Sequence, residues 1–406
     1  MTDRRQVSHL LRRLTFGPTS AEVDAAVRAG YDATVERLLR PVASPDPPPL
    51  ETAPAAGDSR EQRQAARKAQ REQVTVLTRW WLTRMVAGGA AEKLTFFWHG
   101  HWATSVQKVR SAPLMLAQQQ TFRRYGWGDT GPLVRAMLRD PALILWLDGQ
   151  KNTRKAPNEN LAREVMELFT LGAGAYTEAD VKAGARVLTG WQVDRATGRT
   201  RLVPRRHDDQ PVTLLGRDAV QGVDAYADLL VRHPAHVPFV AGRLWARYGG
   251  PGTPPPGVAA AGRTTTALLK AVCTAPEFAA TAGTLVKQPV EWLIGALRHL
   301  ALPPEGAEPV LRALGQVPLR PPSVGGWPEG AAWLTTSSTL TRLRAGQKLA
   351  ARAEVDGLTG ADRLDALADR LVVDGWSDRT RAALSGTKDP EKLLALGLAS
   401  PEYAVH

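Results

Sequence analysis

Two histidines stand among aromatic residues in the segment 96–102, which reads Phe-Phe-Trp-His-Gly-His-Trp. On a helix, His99 and His101 would point about 200° apart, whereas in a loop or extended segment they can point the same way. Gly100 between them favours such a break in the helix. Two imidazoles presented together can chelate a transition metal. The structural alternative is that one histidine packs against the tryptophans while the other hydrogen-bonds to the backbone.

A pair of glutamates provides the second candidate site, in a helix predicted over residues 157–171. Glu164 and Glu167 are three positions apart, so they are neighbours on the helix surface beside an apolar stripe. Carboxylates in such a setting are costly unless they are paired or bind a metal. We therefore predict catalytic roles for both, with Arg163 and Asn160 orienting a substrate. Ion pairing with arginines is the alternative.

A third candidate is the pair His207 and Asp208, within the irregular region 192–217. This region lacks a helical period and is predicted to be a loop or a small hairpin. Loops often supply ligands or catalytic groups to a site that rests on a rigid scaffold. The alternative is that these charged residues are simply solvated.

The elements that must position these residues are predicted to be helices. Glycines in the segment 172–175 end the helix 157–171, and Thr177 caps a second helix that extends to 188, so the two form an antiparallel pair. A long helix is predicted over 58–86. Because few alternating patterns occur, we expect a mainly α, multi-helix globular fold with irregular loops and at most a small β-hairpin.

The chain has 406 residues, enough for one large domain or two ordinary ones. Changes in composition divide it into four predicted parts. These are N-terminal helices packing on the core (1–40), a proline-rich loop (41–57), a main helical domain that carries the candidate site (58–330), and a C-terminal helical segment packed on that domain (331–406).

Charge and cysteine content limit the function classes. The formal net charge is +12, but its one dense run, Arg60 to Arg71, contains no aromatic residue for base stacking, so a solvated helix is expected and nucleic acid is not. The single cysteine, Cys273, excludes an intrachain disulfide. No apolar stretch suits a signal peptide or a membrane span, so a cytoplasmic location without membrane association is predicted.

Several segments together resemble a bacterial family known as domain of unknown function 1800. The longest is 158–191, which contains the run N-E-N-L-A-R-E-V-M-E-L-F-T-L-G and the later Y-T-E-A-D-V. The segments 9–17, 93–102 and 140–148 also match. So do His207-Asp208 and P-S-V-G-G-W-P at 322–328. The resemblance spans nearly the whole chain and implies a mainly helical fold, but no settled activity.

The leading hypothesis is a metal-dependent enzyme, hydrolytic or oxidative, acting on a small molecule or peptide in a biosynthetic pathway. Imidazole and carboxylate ligands together suit iron, manganese or zinc. A non-catalytic binding or scaffold protein, with the polar cluster as a hydrogen-bond network, is the alternative. The oligomeric state and any further cofactor are left open. The predicted metal ligands are His99, His101, Glu164, Glu167, His207 and Asp208.

Overall fold

The computed structural model describes residues 3–50, 59–195 and 197–406 of the chain. Part of the predicted proline-rich loop, 51–57, and the first residue of the helix predicted at 58–86 therefore lie outside the described residues. Within the described ranges the chain is mainly α-helical, which confirms the predicted fold class.

The helices of the first half begin near the amino terminus and continue to the predicted antiparallel pair. They are α1 (Arg4–Leu14), α2 (Ser20–Ala29), α3 (Tyr31–Leu38), α4 (Arg60–Ala87), α5 (Ala90–His101), α6 (Val106–Val109), α7 (Ala112–Tyr125), α8 (Thr130–Met137), α9 (Pro141–Trp146), α10 (Asn160–Glu164) and α11 (Glu178–Val187).

The second half is built from shorter helices. They are α12 (Gly222–Arg232), α13 (His236–Leu244), α14 (Pro256–Ala260), α15 (Thr265–Thr274), α16 (Pro289–His299), α17 (Ala307–Ala313), α18 (Thr336–Ala350), α19 (Arg363–Leu371), α20 (Asp378–Ser385), α21 (Pro390–Leu398) and α22 (Pro401–Ala404).

Two small antiparallel hairpins lie between α11 and α12. The first pairs β1 (Trp191–Asp194) with β2 (Arg199–Leu202), and the second pairs β3 (Val212–Leu214) with β4 (Arg217–Val220). The irregular region thus contains one hairpin more than the sequence predicted. The second is short and has an irregular register, so it leaves little alternating pattern to detect.

Capping explains why α11 begins where it does. The Thr177 side chain accepts a hydrogen bond from the Asp180 backbone N–H, and the Asp180 carboxylate accepts one from the Thr177 N–H. This reciprocal arrangement satisfies two backbone donors that a helix amino terminus leaves unpaired. The cap that the sequence predicted for this helix is confirmed.

Two helices end in π-helical segments, which the sequence did not predict. Val165–Thr170 continues α10, and Trp245–Gly249 continues α13. The Leu171 N–H donates to the Met166 carbonyl at 2.8 Å, five residues back, as this geometry requires. Short π-helical segments inside α-helices often occur at functional sites, and both lie close to the site described below.

The core consists of two clusters of buried apolar side chains, and α5 contributes to both. Its Trp98 lies in the first cluster, and Phe96 lies in the second. The second cluster also joins Trp81 of α4 and Trp292 of α16 to Leu393 of the C-terminal helices. The last turn of α5 is therefore held rigidly between two packed layers. None of the helices in the described ranges combines the length and apolar composition that a membrane crossing requires.

Candidate functional site

The last turn of α5 carries both histidines, and the predicted break at Gly100 is wrong. The helix continues through Gly100 to His101 and ends there, so the two imidazoles point to different sides of α5. His99 lies between the rings of Trp81 and Trp327, with ring centroids 5.4 Å away in each case. Its Nε2 accepts a hydrogen bond of 3.1 Å from the Leu319 backbone N–H.

His101 is fixed in one tautomer by the π-helical segment that follows α10. Its Nε2 donates to the Phe169 carbonyl oxygen at 2.9 Å, so Nδ1 is left with a lone pair. Burial and the charge of Arg243 lower the pKa of His101 to about 3, which keeps the ring neutral near pH 7. Within the described residues, Nδ1 is buried without a hydrogen-bond partner. Such a group is costly unless something else satisfies it.

The loop 321–328 packs directly on this turn. The backbone of Gly326 has a φ of 86°, and a Cβ there would lie 2.6 Å from the Gly100 carbonyl oxygen. This close approach seats Trp327 against Phe96, with stacked rings 5.2 Å apart. The close approach therefore requires glycine at position 326, where any side chain would collide with the Gly100 carbonyl.

Replacing Gly326 by alanine should destabilise the protein by at least about 2 kcal/mol, because left-handed backbone strain is added to the clash with the Gly100 carbonyl. Urea unfolding monitored by tryptophan fluorescence measures this. Gly330→Ala is the matched control, since Gly330 has a φ of 59° with open space around its Cβ position. Equal losses in the two variants would show that the packing on Gly100 contributes nothing.

A small pocket opens where α5, α13 and the loop 321–328 meet, and we call it the His101 pocket. Its volume is about 40 Å³, room for roughly three water molecules. Phe96 and Phe97 form its apolar wall. Its polar lining residues are His101, Arg243, Arg247, Gln288, Trp327 and Glu329.

Two arginines supply cationic hydrogen-bond donors to the His101 pocket. The Arg247 Nη1 donates to the buried carboxylate of Glu291 at 3.1 Å, while its Nη2 is buried and has no partner within the described residues. Arg243 forms an ion pair of 3.4 Å with Glu329, which is more than half exposed. The indole Nε1 of Trp327 is likewise buried without a described partner. Three residues that line the pocket thus each have a buried polar atom without a described partner: the donors Arg247 Nη2 and Trp327 Nε1, and the acceptor His101 Nδ1.

Arg243, Arg247 and Trp327 carry no local sequence signal of a functional role. The two arginines are four residues apart, which places them on one side of α13 and its π-helical continuation, but many arginine pairs in this chain share that spacing. Trp327 was noted only as part of a matching segment. Their association with His101 depends on contacts between elements far apart in the chain, which no local pattern contains.

Glu164 and Glu167, the predicted glutamate pair, lie in the segment 160–170 but are not among the residues that line the His101 pocket. The Tyr176 hydroxyl donates to Glu167 at 2.6 Å. Glu164 is half-buried, and burial together with the nearby Glu167 charge raises its pKa. Arg163 forms ion pairs with Glu159 and Glu178.

Asn160 is hydrogen-bonded to nearby segments of the same chain. Its side-chain Nδ2 donates to the Leu147 carbonyl at 3.2 Å. Its backbone N–H donates to the side-chain oxygen of Asn158 at 3.0 Å. These hydrogen bonds, together with the ion pairs of Arg163, hold the start of α10 against the neighbouring segments.

His207 and Asp208 attach the hairpin region to the end of α11. The Nδ1 of His207 donates to the Thr189 carbonyl at 2.9 Å. The Arg186 Nε donates to Asp208 at 2.7 Å, and this contact holds the pKa of Asp208 below its usual range. The Asp208 backbone N–H also donates to the Thr189 hydroxyl. Both residues therefore have structural partners.

The structure does not gather the predicted metal ligands into one centre. Among the residues it describes, no group of three or more histidine, cysteine, aspartate or glutamate side chains is placed to hold a metal ion. His99 and His101 diverge because α5 stays helical, and Asp208 is engaged by Arg186. Metal binding by His99, His101, Glu164, Glu167, His207 and Asp208 stays a prediction.

Comparisons with known proteins give one match. A family model described as a protein of unknown function, DUF1800, matches residues 9–405, nearly the whole chain. No curated protein and no solved structure matches the chain.

Proposed function

The chain belongs to the DUF1800 family of proteins of unknown function, so we propose a function from the His101 pocket alone: it binds the carboxylate end of a small ligand and accepts a proton or hydrogen bond from it. The observation that carries the proposal is the set of three unsatisfied buried atoms, His101 Nδ1, Arg247 Nη2 and Trp327 Nε1. Buried polar groups are nearly always hydrogen-bonded, and because these three belong to residues that line one pocket, a single bound group can serve them together.

The donors of the pocket suit an anion. A guanidinium of Arg243 or Arg247 can bind a carboxylate through charge-assisted hydrogen bonds, which are about twice as strong as neutral ones. The indole N–H of Trp327 adds a neutral donor. Since the pocket holds only about 40 Å³, it admits a group of a few heavy atoms rather than a whole cofactor.

The acceptor of the pocket suits a hydroxyl or a bound water. Neutral His101 offers the Nδ1 lone pair, and the Phe169 carbonyl keeps the ring oriented. Burial makes His101 a weak base. A bound anion nearby would favour the protonated ring and raise the pKa of His101 towards neutrality. Ligand binding would thus turn His101 into a competent general base, and the step we propose is transfer of the ligand's hydroxyl proton to Nδ1, which breaks the O–H bond and leaves an alkoxide beside the imidazolium.

The proposal predicts that glycolate, which carries a carboxylate and a hydroxyl, binds at least threefold more tightly than acetate, because only glycolate can donate to Nδ1. Titration of protein labelled with ¹⁵N in its histidines, followed by NMR, measures the affinity and the pKa of His101 together. Arg243→Gln should weaken the binding of both anions about tenfold, because a charge-assisted hydrogen bond contributes about that factor to the affinity. Arg312→Gln is the control, because Arg312 pairs with Glu308 on an exposed helix surface.

Two results would count against this function. One is the absence of any change in the His101 ring resonances with either anion at millimolar concentration. The other is equal weakening by Arg243→Gln and Arg312→Gln, which would show that binding is a general charge effect.

Glu329 should oppose anion binding, because it neutralises Arg243 at the edge of the pocket. We expect Glu329→Gln to tighten glycolate binding by up to about fivefold, the upper range for an exposed ion pair. The gain should shrink in high salt, which screens exposed charges. The same NMR titration in low and high salt measures it, and a weaker affinity for the variant would contradict this role of Glu329.

A further inference from the structure

A second, larger cavity lies away from the His101 pocket, along the first half of α4. Arg63, Arg67 and Arg71 line one wall of it. They are four residues apart in sequence, so they lie on one face of α4 about 6 Å apart along the axis. All three side chains belong to exposed residues. The helix therefore presents a row of three cations to the cavity.

The opposite wall contributes three more arginines from separate parts of the chain. Arg110 ends α6 with a left-handed φ of 55°. Arg195 follows β1, and its Nη1 donates to the Val109 carbonyl at 3.0 Å, which holds the hairpin beside α6. Arg320 precedes the loop 321–328, and its Nε is buried without a partner among the described residues. These six arginines define what we call the arginine cleft.

Among the residues that the structure describes, no acidic side chain lines the arginine cleft, whose other lining residues are Ala66, Gln70, Val74, Val106 and Gln107. None of the six arginines forms an ion pair with a carboxylate in the described ranges, where the one ion pair on α4 is Lys68–Glu72. Elsewhere arginines are commonly paired, as Arg123 is with Glu92. Six like charges around one cavity repel one another, so a bound anion would relieve that repulsion.

The arginine cleft has the size of a small-molecule site. Its volume is about 670 Å³, within the range of roughly 300–1,000 Å³ typical of ligand pockets. Ala66, Val74 and Val106 give it an apolar floor, which lowers the local dielectric and strengthens charge interactions. The described part of its lining contains no aromatic residue, and so offers no stacking surface of the kind on which single-stranded nucleic acids depend.

We propose that the arginine cleft binds a small molecule that carries two or more phosphate groups. Guanidinium groups match phosphate geometry bidentately, and cations on two facing walls suit an anion with more than one charged group. The site is independent of the function proposed for the His101 pocket, because the two cavities have no lining residue in common.

Calorimetric titration of the full chain with inorganic phosphate, pyrophosphate and tripolyphosphate tests the proposal. We expect tripolyphosphate to bind at least tenfold more tightly than phosphate, and its affinity to fall as salt rises. The double variant Arg67→Gln/Arg71→Gln should lose at least tenfold in tripolyphosphate affinity. These residues are exposed, so the variant should keep the thermal stability of the parent.

Arg79→Gln is the matched control, since Arg79 is also exposed on α4 but does not line the cleft. The tripolyphosphate affinity of this variant should stay within twofold of that of the parent. Equal losses in Arg79→Gln and the double variant, or no tripolyphosphate binding at low salt, would overturn the proposal. A single-stranded oligonucleotide that bound more tightly than tripolyphosphate, with the same dependence on Arg67 and Arg71, would overturn it in favour of a nucleic-acid surface.

Discussion

Lowering the pH from 7 to 5 should remove most of the stability of this protein, because six histidines are buried in the neutral form. The pKa of His9, His99, His101 and His299 is lowered to about 3, that of His236 to about 4, and that of His406 well below its usual value, in each case mainly by burial. In the unfolded chain they return to about 6.5. Measurement of urea unfolding at several pH values from 7 to 5 tests this.

The direction follows from proton uptake. Each of these pKa values is lower in the folded state, so between pH 6.5 and 3 the unfolded chain binds more protons. The stability is complete above pH 6.5 and is lost as the pH falls. At pH 5 the loss is on the order of 2 kcal/mol per histidine.

One buried acid acts in the opposite direction. Burial raises the pKa of Asp140 to about 7, so this group takes up a proton in the folded state as the pH falls. This uptake stabilises the folded state at pH 5 by on the order of 2 kcal/mol relative to pH 7. The net loss is then on the order of 10 kcal/mol at pH 5, comparable with the total stability of a typical domain, about 5–15 kcal/mol.

A variant with one titrating histidine removed provides the control. His299 donates from Nε2 to the Pro18 carbonyl and accepts from the Tyr403 hydroxyl. His299→Gln removes one of the groups that take up a proton when the protein unfolds. The slope of the unfolding free energy against pH near 5.5 should therefore fall by about 1.2 kcal/mol per pH unit. An unchanged slope in the variant, or a parent slope no larger than that of one proton, would contradict the prediction.

The long elements of this fold could be predicted from the sequence because their signals are local. The helix predicted at 58–86 is observed as Arg60–Ala87, and the one capped by Thr177 as Glu178–Val187. Caps, glycine ends and apolar periodicity all lie within a few residues of the structure that they specify. The π-helical segments that end α10 and α13 have no such local signal, because their hydrogen bonds between residues five apart depend on packing.

The candidate site was predicted less well for the same reason. Gly100 indicated a break, yet α5, packed between the two core clusters, continues through it to His101, so His99 and His101 point to different sides. Tertiary contacts override local preference in such cases. His101 was found because an unusual sequence surrounds it, whereas Arg243 and Arg247 resemble the many other arginines of the chain.

Replacing Glu291 by glutamine should destabilise the protein by about 3–5 kcal/mol, because it leaves buried cations without a counter-ion. Glu291 is 2% exposed and lies 2.8 Å from the Lys93 Nζ and 3.1 Å from the Arg247 Nη1. Burial alone would raise the pKa of Glu291, but Arg247 and Lys93 outweigh it and hold this pKa well below its usual range. Urea unfolding at pH 7 measures the loss. Glu308→Gln is the control, since its exposed pair with Arg312 is worth less than about 1 kcal/mol.

The loss in Glu291→Gln should also depend on pH, through Lys93. Burial lowers the pKa of Lys93 to about 8 even with Glu291 beside it. At pH 9 most Lys93 is therefore already neutral in the parent, so removing its counter-ion costs less than at pH 7. For the same reason, Lys93→Met combined with Glu291→Gln should be less destabilising than the sum of the two single changes, by at least about 1 kcal/mol. Additive losses that are equal at pH 7 and pH 9 would show that Lys93 and Glu291 do not stabilise each other.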